Sequence, residues 1–259
     1  FLPAEIDQDY PVAVDVVSDL ADALWQLNEA LNARFGDKLP LFDIATRANL
    51  RAAIIDELEM ERADKSFPMK PQRILSDVRA FMGPGDLRLS HVGAPKTWTS
   101  RHHQCDEPNT CLISNGFCSM GFALPGAIGA KFAHPGKRVL AISGDAGFLM
   151  NVQELETAAR LKQNVVVMVW IDNAYGLIKW KQQNQYQGRH SDLAFQNPDF
   201  DMLAKAFGLW GRTLTGPGQL EDALTEAFKQ QGPAIIAVPV DYGENLKLTK
   251  RLGDITHQM

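Results

Sequence analysis

The chain has 259 residues, of which 45% are apolar and 22% are charged, and its formal net charge is −5 at pH 7. This length allows one large domain or two modest domains with a sizeable buried core. The acidic balance shows no basic stripe, which disfavours nucleic acid and anionic membrane surfaces as partners. No apolar run approaches the roughly 18 residues of a membrane helix, and no signal-peptide pattern opens the sequence. We therefore expect neither a nucleic-acid-binding nor a membrane protein.

The cysteine content points to a reducing compartment. Cys105, Cys111 and Cys118 are an odd number and show no disulfide pattern, so we expect a cytoplasmic protein. His102 and His103 beside Cys105 are candidate metal ligands. Adjacent histidine side chains rarely converge on one ion, which makes a zinc site the less favoured interpretation.

The first 30 residues predict a short strand around Val12–Val17 and then a helix. Asp19 is a candidate N-cap, and Leu20 and Leu24 begin an apolar stripe. A free-standing domain seldom starts with one strand and one helix that have nothing to pack on. We therefore interpret residues 1–30 as the C-terminal remnant of a preceding domain in a longer polypeptide. An N-terminal decoration of the following domain is the alternative.

Residues 31–70 are interpreted as a linker that contains a helix. The helical pattern runs from Asp43 to Arg62 and is dense in acids and arginines, which is typical of a solvated face. The main domain, residues 71–259, then begins with a predicted helix over Gln72–Met82 and a strand over Leu87–His91. Gly93 and Ala94 follow this strand as a small-residue turn, which is typical of a loop whose backbone approaches an anion.

A strand–helix–strand unit lies in the middle of the chain. Apolar runs over Val139–Ile142 and Val165–Ile171 flank a helix-period segment at 152–159. Such a unit places its two strands parallel in one sheet. Asp145 and Asp172 follow these strands, so we expect both carboxylates at the carboxyl edge, where open α/β sheets bind ligands.

Two carboxylates beside a small-residue turn suit a hard cation that carries a diphosphate. Mg²⁺ prefers oxygen ligands and commonly takes one or two carboxylates together with substrate phosphates. We expect the backbone N–H groups of Ala146 and Gly147 to be free at a helix start, where the helix dipole favours anions. The alternative is that the two aspartates only cap helices.

The remaining elements complete the predicted fold. A short strand near Leu112 precedes a helix that has Pro125 in its first turn. Residues 182–198 are polar without periodicity and are interpreted as a mobile loop near the mouth of the site. Further predicted elements are helix 200–207, strand 209–214, helix 217–231 and strand 234–240. The alternation predicts an α/β fold, a doubly wound parallel six-stranded sheet with helices on both faces. The tail from Asp241 either closes over the site or frays.

The central motif resembles the diphosphate-binding motif of thiamine-diphosphate enzymes. Gly144-Asp145-Ala146 fits its first part, and Asp172-Asn173-Ala174 with Gly176 fits its second part. Residues 1–30 resemble the last strand–helix unit of the central domain in the acetolactate synthase (acetohydroxyacid synthase) large-subunit group. The resemblance covers essentially the whole chain as the C-terminal portion of such an enzyme: the end of a central domain, a linker and a diphosphate-binding domain.

The resemblance implies thiamine diphosphate and Mg²⁺ as cofactors. The metal ligands that it implies are the carboxylates of Asp145 and Asp172 and the carbonyl of Ala174. Met120 matches the bulky residue under the cofactor, and the backbone at Cys118 and Met120 would bind the aminopyrimidine; core filling is the alternative for Met120. The implied cofactor-binding set is Gly93, Ala94, Cys118, Met120, Gly144, Asp145, Ala146, Gly147, Asp172, Ala174, Tyr175 and Gly176.

The implied reaction is the condensation of two pyruvates to 2-acetolactate with loss of CO₂. In this group a Glu from a pyrimidine-binding domain, usually on a neighbouring subunit, bonds the cofactor ring. That domain belongs to the same polypeptide or to a neighbouring subunit, and a homodimer or tetramer is expected. No catalytic proton mover is expected in this chain, which would be inactive alone.

Some positions depart from the pattern of the group. Pro95 and Lys96 replace the His and Gln common in biosynthetic members. Trp180 stands one position before the expected pocket position at Lys181, which favours pyruvate over 2-oxobutyrate as the second 2-oxo acid. The region by which a bound FAD would be judged is not in this sequence. Another thiamine-diphosphate carboligase or 2-oxo-acid decarboxylase is one alternative function, and a non-catalytic cofactor-binding subunit is another.

Overall fold

The structure is a computed structural model that describes residues 13–36, 43–59, 61–245 and 248. Contacts between Cα atoms group the chain into two compact units, residues 1–55 and 56–259. The domain boundaries that the sequence suggests at residues 30 and 70 stay predictions.

The first unit contains a capped helix. α1 spans Leu20–Phe35, and the predicted N-cap is confirmed, because Asp19 Oδ1 accepts hydrogen bonds from the backbone N–H groups of Ala21 at 2.9 Å and Asp22 at 3.2 Å. All residues of α1 are at least partly exposed, including the apolar stripe that begins at Leu20. The second helix, α2 (Ile44–Glu59), confirms the long helical pattern predicted for this region.

The strand predicted around Val12–Val17 is wrong for the residues that the structure describes. Residues 13–17 form no strand, and Val14, Val16 and Val17 are exposed. An extended segment becomes a strand only when a neighbour satisfies its N–H and C=O groups. The six-stranded sheet does not include this segment. Val12 itself lies outside the described residues.

The second unit is built on a six-stranded parallel sheet, as predicted. Its strands are β1 (Leu87–Ser90), β2 (Cys111–Ile113), β3 (Val139–Gly144), β4 (Val166–Ile171), β5 (Trp210–Thr213) and β6 (Ala234–Pro239). Their order across the sheet is β2-β1-β3-β4-β6-β5, and every pairing is parallel. The strands β3 and β4 are therefore direct neighbours at the centre of the sheet.

Helices cover both faces of the sheet. They are α3 (Pro71–Phe81), α4 (Ala94–His102), α5 (Ala123–Ala133), α6 (Asp145–Leu149), α7 (Glu154–Arg160), α8 (Gly176–Gln185), α9 (Phe200–Ala206) and α10 (Leu220–Phe228), the last preceded by a 3₁₀ turn at Pro217–Gln219. Residues of α3, α4 and α10 pack on one face, and residues of α5, α7 and α9 pack on the other. The doubly wound arrangement is thus confirmed.

The side chains of the central strands alternate between these two cores. In β4, Met168 and Trp170 join the core under α3 and α10, whereas Val167 and Val169 join the core under α5 and α9. Because both faces are buried, the strand reads as an uninterrupted apolar run, as parallel strands usually do. This burial gives the strand ends, and the residues that follow them, fixed positions.

Three predicted segments differ from the structure. The turn at Gly93 and Ala94 leads directly into α4, which the sequence did not predict. The helix-period segment predicted at 152–159 is confirmed as α7, but a further short helix, α6, precedes it directly after β3. The loop predicted over 182–198 begins only after Gln185, because the ten-residue helix α8 runs from Gly176 to Gln185. Among the described residues, no helix is long and apolar enough to cross a membrane.

The contact between β5 and α9 offers a test of the packing. A Cβ atom added at Gly211 would lie 2.5 Å from Ala204 Cβ and 3.4 Å from the carbonyl oxygen of Phe200. We expect Gly211→Ala to lower the free energy of unfolding by about 1–3 kcal/mol, because over-packing forces the backbone apart. Urea unfolding measures this change. Gly218→Ala is the matched control, since nothing lies within 4 Å of its added Cβ, and equal midpoints for the two variants would contradict the packing.

Candidate functional site

Two carboxylates lie at the carboxyl ends of the neighbouring strands β3 and β4. Asp145 directly follows β3, Asp172 directly follows β4, and Gly144 of β3 is in register with Trp170 of β4. Asp145 Oδ2 accepts hydrogen bonds from the backbone N–H groups of Asp172 at 3.2 Å and Asn173 at 2.8 Å. The structure therefore brings the two aspartates together at one edge of the sheet, as the strand–helix–strand pattern predicts.

Asp145 is buried and serves as a hydrogen-bond acceptor for four N–H donors. Besides the two backbone groups on the β4 side, Asn197 Nδ2 donates to Oδ2 at 2.7 Å and the backbone N–H of Ala146 donates to Oδ1 at 2.8 Å. The prediction of a free Ala146 N–H is therefore wrong, because the carboxylate turns back onto the first peptide of α6. Oδ2 takes three of these four donors, whereas Oδ1 takes only the Ala146 N–H, so Oδ1 keeps a lone-pair position that a cation can use.

Asp172 carries the electrostatic consequence of this proximity. Burial and, second to it, the negative charge of Asp145 raise the pKa of the Asp172 carboxyl from 3.8 to about 7, while Lys179 acts in the opposite direction. Two carboxylates in a partly buried site repel each other unless a cation or a proton intervenes. The site thus has a deficit of positive charge in the chain as described.

One cavity of about 380 Å³ opens beside the two carboxylates. Its lining contains every residue of the cofactor-binding set that the sequence implied, from the β1 end, the segment before α5, the β3 end and the β4 end. The lining residues are His91, Val92, Gly93, Ala94, Pro95, Lys96, Thr97, Cys118, Met120, Gly144, Asp145, Ala146, Gly147, Asp172, Ala174, Tyr175, Gly176, Leu177, Ile178 and Tyr242. Segments distant in the sequence therefore meet around one space.

Glycines keep this space open where side chains approach the backbone. A Cβ atom at Gly147 would lie 2.1 Å from Cε1 of His91, and a Cβ atom at Gly176 would lie 2.9 Å from Oδ2 of Asp172. Gly93 has a φ of +89°, a conformation that suits glycine. Any larger residue at 147 or 176 would push a cavity-lining side chain out of place.

Met120 and Cys118 form the part of the lining that precedes α5. Met120 is 42% exposed, so it does not fill the core, which was the alternative interpretation. Cys118 adopts a positive φ of 57°, and Lys96 Nζ donates to its sulfur at 3.3 Å. Both residues therefore line the cavity from the same segment of the chain.

Four further residues of the site carry no sequence signal that singled them out. His91 lines the cavity. The side chain of Asn151 donates to the carbonyl of Gly121, and that of Asn197 donates to the carboxylate of Asp145. Tyr242 lines the cavity from the C-terminal side, and burial raises its pKa well above the ordinary value. The predicted tail from Asp241 therefore begins inside the site; the residues after 245, apart from 248, lie outside the described part.

A larger cavity of about 640 Å³ lies on the other side of Asp172. Trp180, Lys179 and His190 line it together with residues that follow β6. Lys181, the position that the sequence suggested for substrate selection, is exposed on α8. We place the chemistry at the smaller cavity, because that is where the paired carboxylates and the glycine turns converge.

The donor set fits a hard divalent cation. It offers two carboxylates, and Ala174, whose carbonyl the sequence implies as a ligand, lines the same cavity; all three groups present oxygen atoms, which Mg²⁺ prefers. Within the described residues, no group of three or more His, Cys, Asp and Glu side chains is placed to hold a metal ion. A cation at this edge therefore depends on backbone oxygen and on groups of its ligand.

His102 and His103 are the other candidate metal ligands that the sequence suggests. Burial lowers the pKa of each of these two histidines to about 4.

Comparison with known proteins identifies the kind of domain. The profile of the family described as "Thiamine pyrophosphate enzyme, C-terminal TPP binding domain" matches residues 91–238. The acetolactate synthase of Bacillus subtilis (strain 168) is 33% identical over 97% of this chain and 44% of its own length. The catabolic acetolactate synthase of Raoultella terrigena is 32% identical over 97% of this chain and 44% of its own length. The chain thus spans less than half the length of these relatives.

A solved structure shares the fold. The thiamine diphosphate-dependent 4-hydroxybenzoylformate decarboxylase of Rhodococcus jostii RHA1 superposes with a TM-score of 0.63 at 22% identity. The match covers 68% of this chain and 33% of that chain. At this identity the likeness supports the α/β architecture alone.

The burial of Asp172 beside a second carboxylate predicts a pH-dependent gain in stability for Asp172→Asn. The pKa of Asp172 is raised in the folded chain to about 7, so its stabilising contribution is complete at low pH and is lost as the pH rises through about 7. The neutral variant escapes this loss. We expect its Tm without metal to exceed that of the wild type near pH 8 by about 2–4 °C for each kcal/mol relieved, and the difference to vanish near pH 4.

Asp199→Asn is the matched control for this prediction. Asp199 caps α9 by accepting from the backbone N–H groups of Asp201 and Met202, both at 2.9 Å, and does not line the cavity. It is expected to give no such gain. A Tm difference for Asp172→Asn that is flat between pH 4 and pH 8 would contradict the electrostatic account.

Proposed function

Because the chain belongs to the thiamine pyrophosphate enzyme family through its C-terminal TPP-binding domain, we propose that it supplies the diphosphate-binding half of an acetolactate synthase active site. The proposed reaction condenses two pyruvates to 2-acetolactate with loss of CO₂. The observation that carries this proposal is the single cavity in which paired carboxylates, glycine turns and the Met120 segment converge. The names of the relatives matched over nearly the whole chain support the choice of reaction.

The carboxylates and one carbonyl hold the metal in this proposal. Asp145, Asp172 and the Ala174 carbonyl would hold Mg²⁺, and its charge would offset the burial and the repulsion from Asp145 that together raise the pKa of Asp172. The remaining coordination positions would be left to diphosphate oxygens and water, which Mg²⁺ commonly keeps as ligands. Asn197, which donates to Asp145 Oδ2 at 2.7 Å, orients the carboxylate.

The turns at the strand ends bind the rest of the cofactor. Gly144 on the β3 side and Gly93 on the β1 side admit the diphosphate close to the backbone, whereas Gly147 makes room for the His91 ring. Met120 supports the cofactor rings, and the backbone at Cys118 and Met120 bonds the aminopyrimidine. Thiamine diphosphate, when bound, supplies the nucleophilic carbon and accommodates the negative charge left by decarboxylation. The protein contributes orientation and electrostatics.

The chain supplies binding groups rather than a proton mover. The carboxylates of Asp145 and Asp172 serve the metal, and the other implied contacts are backbone groups and the side chain of Met120. We propose that a Glu of a pyrimidine-binding domain, from the same polypeptide or a neighbouring subunit, bonds the aminopyrimidine ring. In this proposal the active unit is a homodimer or tetramer, and residues 1–259 alone do not turn over pyruvate.

Cofactor binding is tested by calorimetric titration of thiamine diphosphate into the protein as its gene encodes it, with and without Mg²⁺. We expect binding that requires Mg²⁺ and that Asp172→Asn weakens about 100-fold or more, since a charged metal ligand is lost. Because the same substitution is expected to stabilise the metal-free fold, a loss of binding cannot be attributed to unfolding.

Asp199→Asn again serves as the control and is expected to bind as the wild type does. Binding that is indifferent to Mg²⁺, or equally tight in Asp172→Asn, would refute the metal-bridged diphosphate site. An unchanged affinity in the control alongside a loss in Asp172→Asn would support it.

The reaction is tested by product analysis with pyruvate, thiamine diphosphate and Mg²⁺. We expect 2-acetolactate and CO₂ from the complete protein, and no turnover from Asp172→Asn. Free aldehyde without an acyloin product would instead identify a 2-oxo-acid decarboxylase. Binding of the cofactor with no consumption of pyruvate would contradict acetolactate synthesis and leave an enzyme for another 2-oxo acid or a cofactor-binding subunit.

A further inference from the structure

Three segments that are far apart in the sequence meet at the peptide of Gly121. The backbone N–H of Gly121 donates to Nε2 of His91 at 2.9 Å, and its carbonyl accepts from Nδ2 of Asn151 at 3.0 Å. His91 directly follows β1, Gly121 precedes α5, and Asn151 follows α6. Both polar backbone groups of Gly121 are therefore held by side chains from two other segments, one after the strand β1 and one after the helix α6.

The geometry leaves one protonation state for His91. Its Nδ1 lies 2.6 Å from the carbonyl oxygen of Val92, which can only accept, and its Nε2 faces the Gly121 N–H, which can only donate. The ring is therefore neutral, with its proton on Nδ1. Burial, with 3% of the residue exposed, also lowers the pKa of His91 and keeps the ring uncharged near neutral pH.

The backbone around this contact has no space for an additional side-chain atom. A Cβ atom at Gly121, which has a φ of +81°, would lie 2.3 Å from Nδ2 of Asn151. A Cβ atom at Gly147 would lie 2.1 Å from the His91 ring. Glycine at both positions lets the two side chains close on the backbone, and the ring also fills the space above the β3 turn.

We propose that His91 and Asn151 are positioning residues that clamp the Gly121 peptide and thereby hold Met120 at a fixed distance from the Asp145–Gly147 turn. Met120 immediately precedes Gly121 in the chain, so the clamp sets the position of Met120, which supports the cofactor rings, relative to the diphosphate site. This inference rests on the proposed function for the part that concerns the cofactor. The clamp itself is a property of the protein alone.

The first test reads the clamp without any cofactor. His91→Gln can place an amide oxygen where Nε2 accepts, whereas His91→Asn is shorter and loses that acceptor. Hydrogen exchange of peptides containing Gly121, measured by mass spectrometry on the metal-free protein, is expected to be about tenfold faster in His91→Asn, the size of one lost hydrogen bond. His91→Gln is expected to stay near the wild type. Unchanged exchange in His91→Asn would overturn the clamp whatever the protein binds.

The second test reads the cofactor by calorimetry in the presence of Mg²⁺. We expect thiamine diphosphate to bind about tenfold more weakly to His91→Asn and Asn151→Ala, and nearly normally to His91→Gln. Asn164→Ala is the matched control, because Asn164 Nδ2 also donates to backbone carbonyls, those of Gln230 at 2.6 Å and Gly232 at 3.3 Å, without lining the cavity. A residue that only supports the fold would lower Tm without this selective loss.

The outcomes separate the two claims. Faster exchange at Gly121 together with weaker cofactor binding supports the clamp and its role. Faster exchange with wild-type affinity overturns the positioning role, because the Met120 segment then needs no clamp. A wild-type protein that binds no thiamine diphosphate refutes the proposed function and the cofactor part of this inference, while the exchange result still decides whether the clamp exists.

Discussion

The structure depends on one electrostatic constraint, the placement of two carboxylates at adjoining strand ends. Asp145 accepts the backbone N–H groups that open the turn after β4, so the end of β3 and the end of β4 are joined through a side chain. This leaves Asp172 beside a second negative charge in a partly buried position, and its pKa rises accordingly. A divalent cation resolves the conflict, whereas a proton does so only at the expense of a ligand. Functional sites often retain such local destabilisation because their ligand relieves it.

The sheet makes this constraint possible. The central strands β3, β4 and β6 are buried on both faces, and their side chains alternate between two cores. A strand fixed in this way cannot shift its register without exposing its apolar side chains. Asp145 and Asp172 therefore cannot move apart to relax their repulsion. Glycines at 147 and 176 complete the arrangement, since they leave the room that the neighbouring His91 and Asp172 side chains occupy.

The sequence predicts the architecture well because the central strands are read directly from composition. Apolar runs such as Val165–Ile171 admit few other interpretations, and each is followed by a polar residue that marks the carboxyl edge. The pairing of Asp145 with Asp172 follows from parallel strands alone. The failed strand near Val14 shows the limit of this approach, because its alternating valines have the composition of a strand but the described chain offers them no partner.

Such sequence patterns do not predict the contacts of single side chains. No spacing reveals that Asn197 reaches Asp145, or that His91 and Asn151 both bind the backbone of Gly121 from two distant segments. Helix starts commonly leave backbone donors unpaired, yet the Ala146 N–H donates to the carboxylate of the preceding residue, Asp145. These details depend on rotamers and on the exact approach of distant segments. They decide how the site works, whereas the pattern of the sequence decides where it lies.

The central claim is that a metal ion joins the two carboxylates to a diphosphate at this edge of the sheet. The most direct measurement is a crystal structure of the protein with thiamine diphosphate and Mn²⁺, a metal that also suits carboxylate and carbonyl ligands and whose anomalous scattering locates it. We predict one metal peak about 2.1 Å from oxygen atoms of Asp145, Asp172 and the Ala174 carbonyl, with diphosphate oxygens completing the coordination. A diphosphate bound in the cavity without a metal between these carboxylates, or a metal bound elsewhere, would contradict the claim.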